Sequence, residues 1–174
     1  MAKGVFERKL SVPGDFDVIG LCEAVEEQRA AKGMRWGSMV FDWMSRSTME
    51  RMRERGTATC NHVLPMIQWV GRTPESFTVD PDGAVHALLP DPQGRWRWWW
   101  AHHDLASEIN AKRQDEEMTW RQVADEMGVK TAAIQGLGKL RYGPSIGLAM
   151  IAARWIQRSA TSFMTETSPS AFNR

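Results

Sequence analysis

The stretch from Leu21 to Phe77 can be laid over the stretch from Leu105 to Phe163 almost without gaps. Leu21 meets Leu105, Arg29 meets Arg113, and Met34-Arg35-Trp36 meets Met118-Thr119-Trp120. Further on, Met49 meets Ile134, Met52 meets Leu137, Trp69 meets Trp155 and Phe77 meets Phe163. The offset grows only from 84 residues at the first pair to 86 at the last, so two single-residue slips suffice. A repeat this long is a small domain used twice, because solenoid units are shorter and more numerous. The chain is therefore expected to present two similar surfaces at a fixed distance.

Each copy has roughly 60 to 70 residues, a size that buries only about 60% of its unfolded surface. Nine Trp and eleven Met supply large side chains for so small a core. The net charge of +1 weakens the case for bulk attraction to nucleic acid without removing it, because a local basic face can coexist with an acidic one. Residues 1–78 carry 11 Lys/Arg and 10 Asp/Glu, and the remainder carries 11 of each, so neither half is a charged tail. Cys22 and Cys60 both lie in the first copy, with no CxxC or His-rich spacing, and read as buried free thiols in a reducing cytosol. No apolar run has signal-peptide or membrane-span length. The expected location is the cytoplasm, with no membrane contact.

Residues 1–15 read as an N-terminal arm broken at Pro13-Gly14, and 16–79 as the first domain. Val18, Leu21, Cys22 and Val25 predict a helix to about Lys32, with Gly33 as its C-cap. A short helix is expected over Trp36 to Trp43. Ser47-Thr48-Met49-Glu50 has the capping-box pattern and opens a helix that buries Met49 and Met52 and ends at Gly56. A further helix carries Val63, Ile67 and Val70, closes at Gly71, and leads into Thr73-Pro74-Glu75 as a cap, a first-turn Pro and an acid near the dipole. Residues 80–99 form a Trp-rich linker, either extended or a small hairpin of Val85–Leu89 with Arg95–Trp99.

The second domain, 100–165, follows the same plan: a helix from His102 to Gln114 and a Thr119-Trp120-Arg121-Gln122 capping box opening a helix to Met127. A turn at Gly128, a helix from Thr131 to about Lys139, a helix opened by Pro144 through Ile156 and a short helix near Phe163 complete it. Residues 166–174 read as a flexible tail. The fold expected is mainly α: two tandem helix bundles joined by the linker or hairpin.

The run from Met118 to Val129, MTWRQVADEMGV, resembles the second helix and turn of Cro/phage-repressor-like (XRE-type) helix-turn-helix proteins. In that family an Ala in helix two and a Gly in the turn let the helices approach closely, and here these are Ala124 and Gly128. Leu148 to Trp155, and Trp69 to Phe77 in the first copy, look like the family's closing helices. The first copy departs in having Val40 in place of the Ala and no turn Gly. The resemblance implies two lambda-repressor-like bundles in tandem, whose third helices enter the major groove of double-stranded DNA.

On that reading the outward residues become candidate contacts. In the first copy they are Arg46, Ser47, Thr48, Glu50, Arg51, Arg53 and Arg55, with Arg46 and Arg51 placed to read bases. Glu50 either accepts from cytosine or pairs with a neighbouring Arg. In the second copy they are Lys130, Thr131 and Gln135, with Lys139 and Arg141 for phosphate. Ala132 and Gly136 also face outward, so this helix either lies very close to DNA or has turned to packing. Thr119, Arg121 and Gln122 at the capped start of helix two form a phosphate site, with Arg35 and Ser38 as the equivalents in the first copy. The bland alternative for each set is a solvated polar helix face.

Arg95 to Trp100 interleaves Arg with Trp, which suits stacking on unpaired bases, anchoring a protein partner, or packing between the domains. Strand alternation favours packing. No catalytic set appears around His62, His86, His102 or His103, and neither a metal nor a cofactor is implied. Gly136-Leu137-Gly138 follows no strand and is not a dinucleotide loop. The sequence points to a non-enzymatic transcriptional regulator, a repressor acting as a one-chain pseudo-dimer or as a homodimer. The rival is an adaptor or antitoxin-like interaction module on the same bundles.

Overall fold

The structure, a computed structural model, describes residues 14–36, 45–88, 97–140 and 143–167. It is mainly helical, with seven α-helices among the described residues: α1 (Val18–Ala31), α2 (Arg46–Arg55), α3 (Cys60–Val70), α4 (His102–Asp115), α5 (Trp120–Met127), α6 (Thr131–Gln135) and α7 (Ile146–Trp155). One strand pair, β1 (Arg97–Trp100) with β2 (Met164–Thr167), and short 3-10 turns accompany them among the described residues. The helix expected over Trp36 to Trp43 lies, beyond Trp36, outside the described residues.

The two halves repeat one another down to single hydrogen bonds. Asp17 N–H donates to Phe77 O at 2.7 Å, and Ala101 N–H donates to Phe163 O at 2.7 Å. Phe16 bridges Thr78 antiparallel, and Trp100 pairs Met164 in the same sense. The Phe16 and Phe77 rings lie 6.0 Å apart, and the Trp100 and Phe163 rings 6.4 Å. At the first turn after the opening helix, Gly33 (φ 60°) is answered by Glu117 (φ 54°); after the later helix, Gly71 (φ 66°) is answered by Gln157 (φ 56°). The same chain path is thus kept even where a side chain replaces the glycine that suits a left-handed position.

The aromatic rim is repeated too. Arg29 lies over Trp36 at 5.3 Å and donates to Met34 O; Arg113 lies over Trp120 at 5.0 Å and donates to Met118 O at 2.9 Å. Lys32 lies over Trp69 at 5.0 Å, and Lys112 over Trp155 at 4.3 Å. Gln28 Nε2 donates to Trp69 O at 2.7 Å and Lys112 Nζ to Trp155 O at 2.6 Å, satisfying carbonyls that a helix end leaves open. The four recurring tryptophans are half-buried rim residues under cations.

The halves share one core. Buried residues run without interruption from Phe16, Leu21 and Ile67 to Trp100, Leu105 and Phe163. At the seam, Cys60 N–H donates to Pro144 O at 3.2 Å and Ile146 N–H donates to Ala58 O at 2.9 Å. Glu75, 2% exposed, reaches across so that its Oε1 accepts from Ala160 N–H at 2.8 Å and Ser159 Oγ at 3.3 Å. Arg154 pairs with the Asp80 side chain and backbone oxygen.

The Trp-rich segment differs from the hairpin expectation. Val85 to Leu88 hold no strand, and Arg97–Trp100 pair instead with Met164–Thr167 at the far end of the chain. The register sets Arg97 opposite Thr167 and Trp100 opposite Met164, so residues 166 and 167 belong to a strand rather than a loose tail. Trp100 is fully buried, and its ring is unavailable to a base or a protein partner. The segment is the opening element of the second half, as Gly14 to Phe16 are of the first. There Gly14 N–H and Asp15 O bond Val79 at 3.0 and 2.9 Å, which ties 14 and 15 into the fold rather than into an arm. Arg95 and Trp96 lie outside the described residues.

Candidate functional site

In the first half, α2 owes its orientation to Met49 and Met52, which are 6% and 5% exposed. With those two inward, Arg46, Ser47, Glu50, Arg51, Arg53 and Arg55 are exposed and Thr48 is half-buried. The cap is Ser45, not Ser47: its Oγ accepts from Thr48 N–H at 3.2 Å and shares a 2.8 Å hydrogen bond with Ser47 Oγ. Both serines offer the hydroxyl a cap needs, and burial of the two methionines selects the earlier one. Ser47 therefore sits in the first turn. Gly56, left-handed at φ 59°, ends the helix.

The four arginines of α2 are not equivalent. Arg46 pairs with Glu50 at 2.9 Å and lies 5.9 Å from the Trp36 ring. Arg53 pairs with Glu23 of α1 at 3.6 Å. Both pairs are more than half exposed and worth at most about 1 kcal/mol, so neither locks its arginine. Among the described residues Arg51 makes long local bonds, to Ser47 O at 3.3 Å and Thr48 Oγ1 at 3.4 Å. Among the described residues neither Arg51 nor Arg55 has a carboxylate within 4 Å. These two line a cleft of about 390 Å³ with Thr48, Met52, Thr57 and His62, closed by Ser145 from the second half. Burial depresses the pKa of His62, whose Nδ1 lies 2.9 Å from Thr59 Oγ1.

In the second half, α5, a three-residue turn and α6 follow one another. Thr119 Oγ1 accepts from Gln122 N–H at 3.3 Å, and Gln122 Oε1 accepts from Thr119 N–H at 2.8 Å. This capping box occupies one oxygen of each side chain and leaves the Gln122 amide nitrogen as an outward donor. Gly128 turns the chain at φ 65°, and Val123, Ala124 and Met127 bury the inner face of α5. Arg121, 88% exposed, stands 4.0 Å from Asp125.

The third helix of this half is shorter than the sequence suggests. α6 ends at Gln135, and Leu137–Lys139 continue as a single 3-10 turn. A Cβ on Gly138 would sit 3.2 Å from the Ala106 Cβ, so this glycine lets the turn lie close against α4. Ile134 and Leu137 point inward; Lys130, Ala132, Gln135 and Lys139 are exposed and Thr131 is half-buried. Arg35 is exposed beside Trp36; Ser38 and Arg141 lie outside the described residues.

The structure thus gathers Thr48, Arg51 and Arg55 at one cleft and leaves Arg46, Arg53 and the second-half set elsewhere on the surface. Thr57, Thr59, His62 and Ser145 are members that sequence reasoning missed. The spacing of Thr48, Arg51 and Arg55 marks one helix face. The contribution of Ser145 leaves no trace in sequence.

Among the described residues no group of three His, Cys, Asp or Glu side chains is arranged to hold a metal ion, and no helix is long and apolar enough to cross a membrane. Cys22 and Cys60 are buried free thiols. Burial raises the Cys22 pKa to about 12 and that of Cys60 well above its ordinary value. No protein-family model, curated protein or solved structure matches the chain.

Proposed function

We propose that the chain is a sequence-specific regulator that binds double-stranded DNA through two unlike helix-turn-helix heads, acting in the cytoplasm as a repressor by occupying its site. The observation that carries this reading is the run α5, left-handed Gly128, α6 in one half, answered in the other by α2 with its four exposed arginines. Two packed helices joined by so short a turn leave the second helix with a free polar face of groove-fitting width.

In α2, Arg46 and Arg51 serve base edges, and Arg53 and Arg55 serve phosphate. In the second head, Lys130 and Thr131 sit at the start of α6 and Gln135 at its end, with Lys139 in the turn that follows. The exposed Ala132 then suits close approach to the groove wall. The shared core supports a fixed spacing, and the expected operator is asymmetric, with half-sites about one helical turn (~34 Å) apart.

Selection from a randomised duplex library tests this, with Arg46→Ala/Arg51→Ala and Gln135→Ala/Lys139→Ala proteins beside the parent. The expected result is an asymmetric motif, half of it lost with each double variant, and affinity that falls steeply with salt as phosphate contacts release counterions. No enrichment at low salt overturns the reading and leaves the adaptor alternative.

A further inference from the structure

The cleft between α2 and the start of α3 has a lining that a solvated helix face does not require. Thr48, Arg51, Met52 and Arg55 come from one face of α2; Thr57, Ala58, Thr59 and His62 come from the turn and first residues of α3. Its last wall is Ser145, the cap of α7.

Two arginines and four hydroxyl-bearing residues therefore line about 390 Å³, and no carboxylate is among the described lining residues. The other two arginines of α2 have acid partners; among the described residues the two in the cleft have none. α3 and α7 both begin at this point, and the Thr59 hydroxyl lies 2.9 Å from His62 Nδ1 and makes no side-chain cap bond to α3. The positive ends of two helix dipoles add to the guanidinium charge.

The donor number decides the ligand class. A carboxylate offers two oxygens, and one arginine satisfies both. A phosphate monoester offers three terminal oxygens and about two charges, which match two arginines and several hydroxyl donors. Met52 and Ala58 provide an apolar floor for the organic part, and the volume falls within the range of small-molecule sites.

We infer that this cleft binds a small organic phosphate. The second-half contribution from Ser145 means that the ligand bridges the two halves at their seam. Where the chain acts as the regulator proposed above, the ligand takes Arg51 and Arg55 away from DNA, so its binding lowers DNA affinity. That consequence rests on the regulator reading; the binding site itself does not.

Titration calorimetry on the full chain without DNA, using phenyl phosphate, inorganic phosphate and uncharged phenol as probes, tests the site. Saturable binding of phenyl phosphate at millimolar or lower concentration is expected, weaker for inorganic phosphate and absent for phenol. Arg51→Gln/Arg55→Gln should weaken it at least about tenfold, while Lys32→Gln, a cation remote from the lining, leaves it intact. Circular dichroism melts confirm that each variant is folded. In the parent, the His62 ring signals should move on phenyl phosphate addition and stay still with phenol.

Absence of saturation in the millimolar range, or equal affinity in the double arginine variant, overturns the site. A second arm adds phenyl phosphate to the protein on its selected duplex. Binding of the probe with no duplex bound by any form keeps the site and ends the regulator reading. Duplex binding without probe saturation does the reverse.

Discussion

Thr59 and Ser145 face one another in an isolated antiparallel bridge, and they are equivalent residues of the two halves. The bonds beside them are reciprocal: Cys60 N–H to Pro144 O at one side, Ile146 N–H to Ala58 O at the other. Cys60 corresponds to Ile146 and Ala58 to Pro144, so each half gives and receives the same bond. This is the self-complementary contact of a symmetric dimer, made within one chain. It joins the cap of α3 to the cap of α7.

Cys60→Pro removes one of these bonds without harming α3, because Pro is well tolerated at a first helical position. The orphaned Pro144 carbonyl should cost about 1–3 kcal/mol in urea unfolding relative to a Cys60→Ala control. Equal stability of the two variants would show that the bridge does not couple the halves.

Glu75 is the second link across the seam. Its Oε1 accepts from Ala160 and Ser159, while Oε2 has no partner among the described residues. Glu75→Ala strands a buried N–H and should lose about 2–3 kcal/mol; Glu75→Gln keeps a carbonyl acceptor and should lose less. Thermal melts of the three proteins order them, and a Gln variant as weak as the Ala variant contradicts the bond.

Gln157 holds a left-handed conformation at the position where the first half has Gly71. A β-carbon there costs roughly 1 kcal/mol. Gln157→Gly is therefore expected to raise stability by up to about 1 kcal/mol, and Gly71→Gln to lower it by a similar amount. A pair of denaturant curves in which both substitutions are neutral would remove the strain argument.

Burial lowers the His62 pKa below the ordinary 6.5. The unfolded chain thus takes up a proton first as the pH falls, so this residue favours the folded state fully above about 6.5 and progressively less below it, until the depressed folded pKa is passed. His62→Gln should flatten the acid side of the stability profile between those limits. An unchanged slope between pH 7 and 5 would assign the acid sensitivity to other groups.

Both thiols are buried and resist ionisation. A disulfide reagent at pH 8 should find almost no reactive thiol in the native protein and two after unfolding, since the thiolate is the nucleophile. Rapid native labelling of Cys22 would show that the α1 face opens readily.

Much of the fold is legible in local chemistry. Asp17, Thr73 and Thr119 cap their helices through their own side chains. Leu21 and Leu105, Met52 and Leu137, and Phe77 and Phe163 take matching buried places, because helical spacing alone decides which side can leave water. Two readings went astray for the same reason. Ser45 and Ser47 compete for one cap, and Arg97–Trp100 could pair with a near or a distant strand; in each case the choice depends on packing that adjacent residues do not encode. Of the candidate site, the exposed face of α2 was readable from its charges, but its division into paired and unpaired arginines was not, since Glu23 comes from another helix.

Sequence by itself determined that this protein is a helical unit used twice, because caps, glycine turns and apolar periodicity act over a few residues. Only tertiary structure decided that the units share one core, that Trp100 is sealed inside it, and that Ser145 closes a cleft built on Arg51 and Arg55. Those outcomes join residues roughly 65 to 95 positions apart, where shared burial rather than local preference selects the partner.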